Sequence, residues 1–190
     1  MAIFRLVRKC GIINMDYLVY IIGIIVTLVI GFLALGLIKR KITYDCEIMV
    51  DKPIEEAGHV AQDEERMSEW LDGFKKIEHV SGTPKTVGNV SNVYFTTNGK
   101  EMAVKRTITA IKPFESMESL SETDFMNMEY TVKMTAIGNK TKISSSTTVK
   151  GNGIFAKSLL VFMGSSLKKQ EEKNLIKLKN TIEKNTRKYF

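Results

Sequence analysis

The chain has 190 residues and a net charge of +7, and its two cysteines, Cys10 and Cys46, lie on opposite sides of a long hydrophobic run. This length suits one membrane segment and one domain of about 150 residues, which can bury a normal core without disulfides or structural metals. The cysteine spacing matches no metal or redox motif, and an intrachain disulfide is not expected.

The positive charge is concentrated at the two ends of the chain. Residues 1–41 carry six basic residues and one acidic residue, and residues 168–190 carry eight basic and three acidic residues. Residues 42–167, between them, carry fourteen basic and seventeen acidic residues. A nucleic-acid-binding domain needs a basic face on its folded body. The body here is slightly acidic, so DNA or RNA is not expected as a partner.

The first predicted element is a transmembrane helix at Tyr17–Ile38. Its 22 residues carry no charge, and about 20 such residues cross the hydrocarbon core of a bilayer as a helix. The alternatives are a buried core helix and a cleaved signal peptide. The run is longer than a usual signal h-region, and a basic triplet at 39–41 follows it directly. We therefore predict an uncleaved, single-pass anchor behind a flank of residues 1–16. Basic residues on both sides leave its orientation open.

A domain at residues 42–190 is predicted to begin with a strand and two short helices. Ile42–Val50 alternates apolar and polar residues, as a strand with one buried face does. Pro53 suits the first position of a helix. A second short helix follows, with Met67, Trp70 and Phe74 on its inner face.

The middle of the domain is predicted to be antiparallel strands. Alternating segments lie at 87–96, 102–111, 115–121, 126–136 and 141–149. Asn98-Gly99 between the first two is a strong hairpin signal. One long helix follows, from Ile154 to about Arg187, and would be roughly 50 Å long. Its first half, 154–167, is apolar and its second half is charged, so we expect the first half to dock on the sheet and to bury Phe162.

Three stretches carry a family resemblance. Residues 48–55 are a strand running into a proline-started helix, residues 69–74 place a tryptophan at the exit of the second helix, and residues 151–153 are a glycine turn before the last helix. This order resembles the SRPBCC superfamily, the helix-grip fold of START-like and polyketide-cyclase-like domains. The resemblance covers residues 42 to 188. It implies an α+β fold in which a curved antiparallel sheet wraps around the C-terminal helix, with two short helices after the first strand.

The resemblance also implies a hydrophobic small molecule held between sheet and helix. Methionine and tyrosine side chains would form its flexible walls, with a few hydroxyls to orient a head group. The residues predicted to line this cavity are Tyr44, Trp70, Phe74, Tyr94, Met128, Tyr130, Val132, Leu159 and Met163. Trp70 and Phe74 would lie near an entrance made by the short helices.

Three functions follow from these observations. The leading hypothesis is membrane-anchored binding of a hydrophobic small molecule or lipid, with no catalytic residue, metal or cofactor. The second is a polyketide cyclase/aromatase-like enzyme that uses Tyr44, Tyr94 or Tyr130 with His79 as an acid/base pair. The third is an interaction module whose cavity is collapsed. Neither His79 nor His59 has the second ligand that a metal motif requires. The oligomeric state is left open.

Overall fold

The computed structural model describes residues 15–97 and 99–187. Most of the predicted N-terminal flank, and Asn98 of the predicted hairpin turn, lie outside the described residues. The helices are α1 (Met15–Ile38), α2 (Ile54–Ala61), α3 (Met67–Trp70) and α4 (Ile154–Glu183), with a 3-10 turn at Glu64–Arg66. The strands are β1 (Ile42–Val50), β2 (Phe74–Ser81), β3 (Val90–Thr97), β4 (Lys100–Lys112), β5 (Ser116–Glu122), β6 (Met126–Ile137) and β7 (Lys140–Gly151).

The seven strands form one antiparallel sheet in the order β1-β7-β6-β5-β4-β3-β2. The last strand in sequence, β7, therefore pairs with the first, and the β2–β6 meander continues from it. The predicted curved sheet with a long C-terminal helix and two short helices after β1 is confirmed.

Phe74 belongs to strand β2 and not to the second short helix, where the sequence pattern had placed it. Gly73 has a φ of 74°, a conformation that ends a helix readily because glycine has no Cβ. The Gly73 carbonyl oxygen then accepts a hydrogen bond of 2.8 Å from the Thr96 amide of β3. This bond brings the chain beside β3, where it continues as a strand.

The hydrophobic core lies under the second half of α4, and the prediction that the first half would make the main contact is corrected. Leu175, Leu178 and Ile182 are at most 4% exposed and pack with Val50 and Ile143 of the sheet. Phe162, predicted to be buried, is 61% exposed. The charged second half is amphipathic: residues spaced three and four apart bury one stripe while lysines and glutamates cover the rest. The total apolar content of a helix segment does not reveal how much of it is buried.

The first half of α4 packs instead on the end of α1. The Phe32 ring lies 5.8 Å from the Phe155 ring and is stacked 6.1 Å from the Phe162 ring, measured between centroids. The Ser158 hydroxyl is fully buried and lies 3.4 Å from the Leu33 carbonyl oxygen. A Cβ on Gly36 would be 2.7 Å from the Ile154 carbonyl oxygen, so a glycine is needed for the two helices to approach this closely.

Tyr17–Ile38 is long and apolar enough to cross a membrane, and no other helix in the described part of the chain meets that criterion. Most of its side chains are exposed in the isolated chain. Its last two turns are the part that α4 covers.

Candidate functional site: the inner cleft

The face of the sheet that looks toward α4, called the inner face, carries a row of paired residues. Tyr44, Thr147 and Tyr130 lie opposite one another on β1, β7 and β6. Ser119 and Ile108 extend the row across β5 and β4. Directly opposed residues of an antiparallel sheet project to the same side. One row therefore brings side chains from five strands into a common space.

α4 covers only one side of this face, since it packs chiefly on β1 and β7. Inner-face residues of those two strands are mostly buried, whereas many of those on β4 to β6 are half-buried. The accessible part is a groove that we call the inner cleft. The half-buried residues that define it are Arg106, Met117, Ser121, Met128, Tyr130 and Val132.

A hydrogen-bonded pair joins the cleft to α4. The Tyr130 hydroxyl donates to Oε1 of Glu171 at 3.1 Å. Burial raises the pKa of Tyr130 well above its ordinary value, and the Glu171 carboxylate raises it further. Burial also raises the pKa of Tyr44 to about 12, again with a contribution from Glu171. Both phenols are therefore protonated at neutral pH and available as hydrogen-bond donors on the inner face.

The raised pKa of Tyr44 predicts a loss of stability in strong base. An unfolded tyrosine ionises near pH 10, while Tyr44 in the folded chain keeps its proton until about pH 12. The free energy of unfolding contributed by this group is complete below pH 10 and is lost as the pH rises from 10 to 12, because only the unfolded state releases the proton there.

We expect the Tyr44→Phe variant to lose less stability over that range in urea titrations than the native chain. Thr43→Ala is the matched control, because it changes the neighbouring residue of β1 without removing an ionisable group, and it should keep the pH dependence of the native chain. An identical pH dependence in the native chain and Tyr44→Phe would contradict the assignment.

Arg106 is a charged residue on the inner face of β4, opposite Ser91 of β3 and Ser121 of β5. The Arg106 Nε and the Ser91 hydroxyl oxygen are buried and have no hydrogen-bond partner among the described residues. Burial lowers the pKa of Arg106, and the Glu64 carboxylate opposes that shift. Since arginine stays protonated in proteins, the cleft holds a cation in a poorly solvated position.

The opposite face of the sheet has an open depression of about 640 Å³. Its wall includes Asp45, Glu47, Glu118 and Lys133, and Lys142 pairs with Glu47 at 2.7 Å beside it. These side chains are polar or charged and point away from α4. The depression therefore lacks the apolar walls that a hydrophobic ligand needs.

Solved structures of similar fold were found, whereas no protein-family model and no curated protein sequence matches the chain. Ara h 8.0201 superposes with a TM-score of 0.60 at 17% identity over 76% of this chain and 99% of its own. The Zhui aromatase/cyclase from Streptomyces sp. R1128 superposes with a TM-score of 0.64 at 11% identity, over 77% of this chain and 96% of its own. Protein CV1439 from Chromobacterium violaceum superposes with a TM-score of 0.62 at 14% identity, over 75% of this chain and 98% of its own. The chain has the helix-grip fold.

Three of the nine predicted site residues lie in the inner cleft of this helix-grip sheet, and a fourth, Tyr44, lies beside it. Tyr130, Met128 and Val132 come from β6, and Tyr44 lies across β7 from Tyr130. The strict alternation of apolar and polar residues in β6 predicts that Met128, Tyr130 and Val132 share one face of the sheet. Tyr94 is not among them.

Tyr94 lies on the outer face, which corrects its predicted place in the cavity. Its hydroxyl donates to Oε2 of Glu78 at 2.8 Å, and the Lys76 ammonium lies 4.6 Å from its ring centroid. The inner residues of β3 are Ser91 and Val93, which are buried. Apolar residues occur on both faces of this strand, so alternation alone did not decide its orientation.

The four remaining predicted residues surround the cleft. Trp70 packs against the main core, and Phe74 meets the Phe95 ring edge-on at a centroid distance of 6.4 Å. Leu159 and Met163 are half-buried on the first half of α4. The nine residues predicted to line one cavity therefore lie in three places: in or beside the cleft, around it, and, for Tyr94, on the outer face.

Sequence reasoning missed Arg106 and Glu171 as cleft residues. Arg106 could have been suspected from its register, because Val104 and Ile108 two residues away share its face. Glu171 lies in a charged stretch that looked wholly solvated, and only the docking of α4 shows that it faces Tyr130.

Neither histidine joins the tyrosines of the cleft. His79 Nε2 lies 3.2 Å from Oε2 of Glu64, and the His59 ring packs 4.7 Å from that of Phe114. The polar partner of Tyr130 is Glu171 and not His79. Within residues 15–97 and 99–187, no group of three His, Cys, Asp or Glu side chains is arranged to hold a metal ion.

Proposed function

We propose that this protein is a membrane-anchored binder of a hydrophobic small molecule or lipid, which occupies the inner cleft without undergoing a reaction. The observation that carries the proposal is the half-buried apolar surface of β5 and β6. Met117 and Met128 lie on the inner face beyond the two strands on which α4 chiefly packs, and Val132, opposite Met117, also packs against the main core. Methionine adapts to irregular guests, and an apolar wall with a few hydroxyls is typical of small-molecule sites.

The anchor would keep the cleft beside a reservoir of such ligands. In this proposal α1 spans the bilayer, and Phe155 and Phe162, both 61% exposed next to α1, lie at the level of the lipid. Large apolar side chains that are exposed together commonly mark a membrane contact. The domain would then rest its α4 on the membrane surface.

Uptake of a fluorescent fatty acid by the detergent-solubilised full-length protein tests the cleft. Val132→Trp should abolish uptake because the indole would fill the groove. The urea midpoint should fall, because Val132 also packs against the main core, but a cooperative unfolding transition should show that the domain remains folded. Thr131→Trp is the matched control, because the next residue on β6 points to the other face. We expect uptake by this control to equal that of the native chain.

The proposal fails if the native protein takes up no apolar probe and native mass spectrometry finds no co-purifying ligand. It also fails if Val132→Trp binds as well as Thr131→Trp. The domain would then be an interaction module.

An alkaline carbonate wash tests the anchor. The full-length protein should remain in the membrane pellet, and its mature N-terminus should precede Tyr17. Release by carbonate, or an N-terminus beyond Gly36, would show that the hydrophobic segment does not anchor the domain.

A second candidate, proton-transfer catalysis on a carbonyl compound, is favoured by the hydrogen bond between Tyr130 and Glu171. Tyr130 would donate a hydrogen bond to the carbonyl oxygen while the Glu171 carboxylate takes a proton from the neighbouring carbon. Incubation with a linear polyketone, followed by mass spectrometry for loss of water, tests it. Turnover that disappears in Glu171→Gln, with binding retained, would establish the enzyme. No product with the native chain would eliminate it.

A further inference from the structure

The ligand that suits the inner cleft has a charged end as well as an apolar one. Arg106 lies in the same cross-strand row as Ser121 and Met128, so the guanidinium and the methionine wall belong to one surface. A purely apolar guest would leave that cation covered and without a close counter-ion. Covering an unpaired charge removes its solvation and supplies nothing in exchange, which is strongly unfavourable.

The protein itself supplies only part of a counter-charge. Among the described groups, Glu64 is the carboxylate that acts on Arg106, and its Oε2 already lies 3.2 Å from His79 Nε2. The Arg106 Nε meets no acceptor. The neighbouring Ser91 hydroxyl is also buried without a partner. Two donors on adjacent strands are therefore available to one incoming oxyanion.

We infer that the inner cleft binds an amphipathic molecule through an oxyanion head group, carboxylate or phosphate, that pairs with the Arg106 guanidinium. This inference rests on the proposed binding function and specifies its ligand class. The planar guanidinium can donate two parallel hydrogen bonds to such a group. The aliphatic chain then runs along Met128, Met117 and Val132, while Ser91 and Ser121 flank the head group.

The test compares a fluorescent fatty acid with the corresponding fatty alcohol, using the full-length protein in detergent micelles. The native chain should bind the acid at least tenfold more tightly, which corresponds to about 1.4 kcal/mol. Arg106→Met should bind both probes with the affinity of the alcohol. Arg106→Lys keeps the charge and should keep part of the preference. Unfolding in urea checks that each variant is folded, which is expected because methionine replaces a half-buried cation with an apolar chain of similar length.

Lys105→Met is the matched control. Lys105 is the next residue on β4, points to the outer face and pairs with Glu122 at 3.1 Å. Removing this charge should leave the preference for the acid unchanged. Competition with lysophosphatidate and with unlabelled fatty acid distinguishes the two oxyanions, because the better-matched head group displaces the probe at lower concentration.

The outcomes separate the inference from the function on which it rests. Equal binding of acid and alcohol by the native chain, or an acid preference that survives in Arg106→Met, overturns the assignment of Arg106 and leaves hydrophobic binding intact. Binding of neither probe overturns both.

Discussion

Ile182→Ala is expected to lower the free energy of unfolding by about 2–5 kcal/mol, the range for truncating a fully buried aliphatic side chain. Ile182 has no exposed surface and belongs to the cluster that joins the second half of α4 to Val50 and Ile143. Phe162→Ala removes a larger side chain but should cost less than about 1.5 kcal/mol, since the 61% exposed ring loses mainly its stacking with Phe32.

Urea denaturation of the full-length protein in micelles, followed by the fluorescence of Trp70, measures both variants. Trp70 is the single tryptophan and packs against the main core, so its signal reports on the affected cluster. Similar losses of stability in the two variants would show that the core is not confined to the second half of α4. Ile176→Ala, at a 53% exposed position of the same helix, is the control for the general effect of alanine there.

Gly36→Leu is expected to detach α1 from α4. A Cβ at this position would lie 2.7 Å from both the Ile154 carbonyl oxygen and the Ser158 amide nitrogen. These are backbone atoms of a helix, so no side-chain rotation relieves the overlap and the helices must separate. The linker at residues 39–41 is exposed, but its first amide donates to the Leu35 carbonyl oxygen at 2.9 Å and so continues the end of α1. Separation of the two helices would free the linker to adopt the extended conformation that a protease binds.

Limited trypsin digestion measures this separation, because the linker is Lys39-Arg40-Lys41. We expect cleavage there to be at least several-fold faster in Gly36→Leu, since proteolysis follows the population of the open form. Gly31→Leu is the matched control: it lies in the same helix, and no atom lies within 4 Å of an added Cβ. Equal cleavage rates in the two variants would contradict the close helix contact.

The packing of α1 on α4 covers part of an apolar surface on α4. Phe155 and Phe162 contact Phe32 on one side and are exposed elsewhere. A fragment lacking α1 would leave this apolar surface uncovered. We therefore expect such a fragment to associate through this exposed apolar surface.

The sequence alone was sufficient for most of the architecture, because local patterns encode it, although strand β2 (Phe74–Ser81) was not among the predicted strands. Strand β6 alternates almost without interruption, Pro53 directly precedes α2, and the glycine turn at 151–153 precedes a long segment free of proline. The length and composition of the uncharged Tyr17–Ile38 segment likewise predict a helix that is long and apolar enough to cross a membrane. Each of these signals depends on near neighbours in the chain, so the order of elements and the helix-grip fold could be predicted.

Only the tertiary structure decided which surfaces those elements share. The orientation of β3 depends on its pairing with β2 and β4, and this pairing places Tyr94 outside and Ser91 inside. The buried stripe of α4 depends on where the helix crosses the sheet, so the apolar Phe162 is exposed while Ile182 is buried. Strand pairing likewise places Arg106 on the inner face, and the docking of α4 places Glu171 beside Tyr130. Burial and electrostatic environment are properties of residues far apart in sequence, and no local pattern contains them.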